Sequence, residues 1–288
     1  AYNGPERQLK QLGIDAESLK AINPDVIPFY LDAWGGPKNG PRSNHVGYDD
    51  LVQASTGIMA RFGGSINTPE EHAHLGTIDV LTGFAGAFAI ATALYKYRKT
   101  GVPDIARTSL AAAGQLLQSP FLYDYENRPP FNEPSGRNIK GYGPLYRCYQ
   151  ALDGWFFLAT QEDSLKRLED IVELKGSSHM VSDELEKFLS NQFKNRKVVY
   201  WVDAFVKVDI GAVELGAMAK LREKYLSSAE IDPHASGSTY QFTRYDNHPS
   251  GRRIDIIAPC SIRPKYASLA VTPPAKKYGQ ETKEILLK

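Results

Sequence analysis

A single carboxylate stands at the entrance to the most apolar stretch of the chain. In "HLGTIDVLTGFAGAFAIATALYKYRKTG", His74 to Gly101, nearly every residue from Val80 to Tyr95 is small or apolar, and Asp79 precedes that run. If the run is a buried helix, Asp79 falls in its first turn, where free N–H groups and the helix dipole favour negative charge. That placement predicts a carboxylate ionised near neutral pH. Partly desolvated in a cleft, such a group is a nucleophile or a general base. The alternative is an aspartate that only stabilises its helix; the residues alone leave both open.

Other residues could join it. In "NHVGYDDLVQ", Gly47 would permit close backbone approach, and Tyr48 and Asp49 open the next helix; a loop glycine before a capped helix reads the same way. His72 and His74 are two apart and reach a common ligand only from an extended segment. No third ligand stands at a typical spacing, so no metal is expected. "GRNIKGYG" is a glycine-interrupted loop able to cover a ligand, or a plain surface loop, and it matches no phosphate-loop pattern. Lys96, Arg98, Lys99, Arg252 and Arg253 could pair with phosphates, although solvated charge is the default reading.

The elements that would position these residues alternate strand and helix, then turn to hairpins with helices, an α/β order. A short helix opens at Asp15 or Ala16 and stops near Asn23-Pro24, because the residue before a proline avoids helical geometry. "VIPFYLDAW" is a buried strand, and "YDDLVQASTGIMARFGG" one helix closed by glycines. The apolar helix ends at Gly101, and "DIARTSLAAAGQLLQSP" is a further helix. Residues 119–143 are irregular. "PLYRCYQALDGWFFLAT" is a hairpin turning at Asp153-Gly154. Helices follow near 163–174, 182–194, 197–207 and 215–227, then a hairpin turning at 247–251 and a short helix after Gly279.

Bulk properties narrow the class. The chain has 288 residues, 42% hydrophobic and 23% charged, with a formal net charge of +1. That balance argues against a nucleic-acid or membrane-surface partner, which a basic excess would mark. Val80–Tyr95 is shorter than the roughly 20 residues of a membrane span. Cys148 and Cys260 form no C-x-x-C pair, which fits a reducing, cytoplasmic setting. No secretory signal opens the chain. It begins at Ala1 without an initiator Met, which suggests processing or a piece of something longer.

Taken in order, "LGIDAESLKAINPDVIPFYLDAWG", "GYDDLVQASTGIM", "LGTIDVLTGFAGAFAIATALYKYRKTG", "PLYRCYQALDGWFFLA" and "DNHPSGRRIDIIAP" resemble segments of the family III CoA-transferases. That group includes formyl-CoA transferase, carnitine CoA-transferase and 2-methylacyl-CoA racemase. Within it, "RSNHVGYDDLVQASTG" and "NEPSGR" are most similar to bacterial dimethylsulfoniopropionate CoA-transferase/lyases, tandems of two such domains.

The resemblance implies a large α/β domain at 1–143, rejoined by 240–288, and a smaller α+β domain at 144–239. The family's N-terminal nucleotide-fold part, which holds much of CoA, has no counterpart here and is expected on another chain or removed. Asp79 matches the aspartate that attacks an acyl-CoA thioester, although "GTID" holds two residues more than the family's "GD". An acyl-aspartyl anhydride, then an aspartyl-CoA thioester, then CoA transfer to the acceptor acid would follow, with helix N–H groups steadying the developing oxyanion. Gly47, Tyr48, Asp49, Gln53 and His74 are the implied substrate or CoA contacts; Tyr48, Asp49 and Gln53 would line the acyl or pantetheine end. The family's glycine-run loop is not recognisable, although "PSGRNIKGYG" occupies its region.

Tyr48 stands where racemases carry histidine, which argues against racemase chemistry. The implied partners are acyl-CoA, as co-substrate, and a small carboxylic acid, with a homodimer or tandem-domain assembly. Two rivals remain: a racemase or isomerase using Asp79 as base, and a non-catalytic half of a tandem.

Overall fold

The structure is a computed structural model that describes residues 1–36, 40–63, 76–128, 139–228, 242–246, 248–257 and 276–287. It forms two units, Ala1–Arg147 and Cys148–Lys288. In the first, a strand that the sequence did not announce, β1 (Tyr2–Asn3), pairs parallel with β2 (Phe29–Asp32), which pairs parallel with β3 (Ala106–Ser109). Helices α1 (Glu6–Leu12) and α2 (Ala16–Ile22) connect β1 to β2. Asp15 caps α2 by accepting from Glu17 N and Ser18 N, and the helix stops at Asn23 as Pro24 demands. Strand β2 is shorter than the expected Val26–Trp34. Pro28 lacks a ladder donor, and Asp32 ends the strand by accepting from Gly35 N and, at 3.0 Å, from Arg107 Nη2.

Between β2 and β3 lie α3 (Asp49–Thr56), α4 (Ile58–Phe62) and α5 (Thr77–Thr100). The sequence suggested one helix for the first two. Gly57 breaks it by adopting φ +86°, a left-handed conformation that glycine takes at little cost. The expected helix from Asp104 to Pro120 also divides. Its first part, paired with β2, is strand β3; Ser109 then caps α6 (Leu110–Leu117) by accepting from Ala112 N, and α7 (Ser119–Leu122) follows.

Helix α5 is about 36 Å long at 1.5 Å per residue, and Gly101 ends it with φ +69°. It is not buried all round. Ile78, Thr82, Gly86 and Ala93 face inward, whereas Val80, Phe84, Phe88 and Tyr95 are exposed. Small residues let the inner face lie close to the sheet, and the large apolar ones project away. Its length and composition suffice for a membrane span, which the shorter run Val80–Tyr95 did not suggest. Ile78 joins Ala33, Val52, Ile58, Leu110 and Ala113 in a core beneath the first turn of α5.

Strand β4 (Gly141–Gly143) pairs with β5 (Tyr146–Gln150). Strand β6 (Trp155–Ala159) lies beside β5 across the expected turn, closed by Ala151 N–H to Gly154 O at 2.8 Å. Helices α8 (Leu165–Leu168), α9 (Ser182–Phe193) and α10 (Val198–Lys207) follow, then β7 (Gly211–Glu214), antiparallel to β6. Phe193, Trp201, Phe205 and Phe156 form an aromatic core, with ring centroids 4.9 Å apart for Phe193 and Trp201. After α11 (Met218–Tyr225), β8 (Leu226–Ser228) pairs with β9 (Phe242–Tyr245), and β9 with β10 (Ile254–Ile257). Through β8, the described residues after 240 group with the second unit. Helix α12 (Thr282–Leu286) closes the described chain.

One substitution at two positions of α5 tests this packing. A Cβ on Gly86 would lie 2.5 Å from Cζ of Phe29, whereas one on Gly83 meets nothing within 4 Å. Gly86→Ala should lower stability by about 1–3 kcal/mol, and Gly83→Ala should raise it by about 0.5–1 kcal/mol. Thermal melting that moves both variants in one direction would contradict the packing.

Candidate active site

The C-terminal ends of parallel strands are where an open α/β sheet leaves room for ligands. Here β1 runs out into Asn3, Gly4 and Pro5, and β2 into Asp32 and Ala33. Asn3, Gly4, Pro5, Gln8, Leu31, Ala33, His45, Val46, Gly47, Tyr48, Asp79 and Leu110 enclose a cleft of about 300 Å³. Gly47 is there by necessity, since a Cβ on it would sit 2.3 Å from that of Ala33 and 2.9 Å from Trp34 Nε1. Trp34 Nε1 in turn donates to Val46 O at 3.3 Å, holding the 45–47 segment against the strand end.

Asp79 lies on the first turn of α5, whose cap residue is Gly76. A glycine has no side chain to satisfy the orphan N–H groups of that turn. Asp49, thirty residues earlier, does so: its Oδ2 accepts from Asp79 N at 2.8 Å. The other oxygen of Asp49 accepts from Gln53 Nε2, one turn along α3. Both Asp49 and Gln53 are buried, Gln53 completely.

These contacts reset the electrostatics. Asp79 is exposed as a residue, yet burial of its carboxyl is the largest influence on it and pushes it above the ordinary aspartate range; the charges of Asp49 and then Asp50 push the same way. The helix dipole does not win. Nor does the first turn offer the expected oxyanion donors at these positions, because the Asp79 N–H is held by Asp49 and the Val80 N–H by Gly76 O at 3.0 Å. What remains is a basic carboxylate facing a cleft, suited to attack on a carbonyl or to proton abstraction.

Of the expected contacts, Gly47 and Tyr48 reach the cleft with Asp79. Asp49 and Gln53 are not among the residues that enclose the cleft; Asp49 accepts from Asp79 N and from Gln53 Nε2. His74 lies outside the described residues. Sequence reasoning missed Asn3, Gly4, Gln8 and His45. The signal for the first two was their position at the end of, and just after, a strand of two residues, too short for periodicity to register. Among the described residues, no group of three His, Cys, Asp or Glu could hold a metal.

The chain belongs to the CoA-transferase family III, whose model matches residues 1–235. It is 43% identical over 284 residues to the CoA-transferase/lyase DddD of Marinomonas sp., covering 99% of this chain and 34% of that protein. It is 33% identical over 216 residues to the acetyl-CoA:oxalate CoA-transferase of Acetobacter aceti, covering 70% of this chain and 54% of that one. The fold matches Rv3272 of Mycobacterium tuberculosis (TM-score 0.71, 18% identity, 98% of this chain and 75% of that chain). It also matches a CaiB/BaiF family protein of Brucella suis (TM-score 0.70, 21% identity, 99% and 73%).

The raised Asp79 carboxyl has a consequence for stability. A carboxyl whose folded-state affinity for a proton exceeds its unfolded one stabilises the fold at low pH, and that contribution is lost as pH rises through the folded value. At neutral pH the ionised group therefore costs stability, modestly because it is exposed and screened. Asp79→Asn should raise the melting temperature at pH 7.5 by about 1 °C, with the gain vanishing at pH 3. A lower melting temperature at pH 7.5 would contradict the electrostatic picture.

Proposed function

We propose that the protein transfers CoA between carboxylic acids, with Asp79 as the nucleophile. The observation that carries this reading is the placement of a carboxylate, made more basic by burial and by Asp49, in the wall of a cleft at the sheet's C-terminal edge. An Asp79 oxygen attacks the thioester carbonyl, the C–S bond breaks, and CoA thiolate leaves a mixed anhydride. The thiolate then attacks the aspartyl carbonyl, forming an aspartyl-CoA thioester and releasing the donor acid. The acceptor carboxylate attacks that thioester, expelling the thiolate and forming a second mixed anhydride; the thiolate then attacks the acceptor's acyl carbonyl, forming the acceptor's CoA thioester and releasing Asp79 as carboxylate. A cleft of about 300 Å³ suits the thioester and a short acyl group. Gly47 and Tyr48 line the same cleft as Asp79, which supports their contact with that end, and His74 is proposed to complete it.

Dimethylsulfoniopropionate as acceptor, followed by a lyase step, is the narrower form of the reading. Its support is the likeness of "RSNHVGYDDLVQASTG" and "NEPSGR" and the 43% identity to a protein named CoA-transferase/lyase. A homodimer or tandem of like domains is proposed as the working assembly; the exposed apolar side chains of α5 support it.

Incubation with acyl-CoA, followed by borohydride reduction or hydroxylamine and peptide mass mapping, tests the reaction. The modification is expected on the peptide carrying Asp79, and Asp79→Asn should abolish it while lowering turnover about a thousandfold or more. A peptide that stays unmodified during turnover would overturn the reading. Solvent deuterium entering the α-carbon without an acceptor acid would favour a racemase or isomerase.

A further inference from the structure

We propose that Asp49 is a positioning residue for the nucleophile: it fixes the first turn of α5 by accepting from the Asp79 N–H, and it sets a second negative charge beside Asp79 that acylation relieves. This inference rests on the nucleophilic role of Asp79 proposed above. It assigns Asp49 and Gln53 work behind the cleft, apart from any contact with substrate.

Three observations carry it. Asp49 lies at the start of α3 and is buried, yet its carboxylate reaches across to α5, with Oδ2 2.8 Å from Asp79 N. A methyl group placed on Gly76 would meet Asp49 Oδ2 and Asp79 Oδ2 at 3.7 Å each, so the two carboxylates flank one point. Gln53 is fully buried, donates Nε2 to Asp49, and leaves its own Oε1 without a partner. A buried amide oxygen left unpaired costs stability. The donor end is thus spent on Asp49, which fixes the amide orientation and the carboxylate together.

Among the described residues, Asp49 and Asp50 face Asp79 from α3, and His45 and Tyr48 share its cleft; α6 contributes Leu110 and the ends of β1 and β2 contribute no charged group to the cleft wall. Like charges in partly desolvated surroundings raise the energy of the ionised enzyme. When Asp79 attacks a thioester, its C–O bond forms and the C–S bond breaks. The negative charge leaves with the thiolate, and the acylated side chain beside Asp49 is neutral. The repulsion present in the free enzyme is absent from the anhydride and from the aspartyl-CoA thioester. Asp49 therefore favours the covalent states, and it makes the free carboxylate a stronger nucleophile.

Asp49→Asn separates charge from geometry. The asparagine Oδ1 can still accept from the Asp79 N–H, and its amide can donate to Gln53 Oε1 if that side chain turns over. In the complete protein with acyl-CoA, formation of the Asp79 adduct is followed against pH by borohydride trapping. The acid limb should move to lower pH in Asp49→Asn, and the trapped fraction on the plateau should fall by about threefold or more. Gln53→Met keeps the Asp49 charge but removes its donor, so its acid limb should move to higher pH. If Asp49→Asn fails to fold, the direction for Gln53→Met decides. An Asp79 adduct that forms with unmoved acid limbs in the variants would overturn the positioning role alone. No adduct in the unmodified protein would overturn this role and the proposed reaction together.

Discussion

The cap on α5 comes from another helix. Gly76 leaves the first turn of a 24-residue helix with no side chain of its own to satisfy it, and Asp49 supplies the missing acceptor. Such a cap normally comes from the residue that starts the helix and contributes about 1 kcal/mol. Here the contact joins α3 to α5 across thirty residues of sequence, so the direction of Asp79 depends on where α3 begins. The start of α3 depends on the Gly47 segment, which lies flat against Ala33 and Trp34 because no side chain intervenes.

The sheet supplies the other fixed boundary. Asp32, nearly buried, accepts from Gly35 N and from Arg107, which also faces Glu6 at 3.7 Å. Ser109, at the end of β3, donates to Gly35 O at 2.7 Å. The ends of β2 and β3 are thereby tied to one loop, and the residues that follow, Ala33 and Leu110, form the cleft floor and part of the core beneath Asp79. Polar contacts fix the rim and apolar packing supports the turn. The basicity of Asp79 arises between them, where water is partly excluded and a second carboxylate stands close.

Much of this was legible in the residues because local chemistry decides it. The Asp15 cap, the stop before Pro24, the Gly101 terminus and the turn before Gly154 each follow from a side chain or backbone freedom within a few positions. Asp79 stood out because a charge beside an apolar run is uncommon. What the sequence concealed was non-local. Strand β3 forms inside a segment of helical composition because β2 offers it a ladder. The long apolar residues of α5 face outward because the small ones pack on the sheet, a choice that composition does not record. Nothing in the spacing signalled that Gln53 donates to Asp49, or that Asp49 accepts from the Asp79 backbone. No spacing rule links positions 49 and 79.

Burial and the Asp49 charge make Asp79 more basic than an ordinary aspartate. The most direct measurement is a 13C NMR titration of the aspartate side-chain carboxyl carbons, with the Asp79 resonance assigned by its loss in Asp79→Asn. The Asp79 midpoint is expected above the ordinary value of 3.8. A midpoint at or below that value would contradict that basicity.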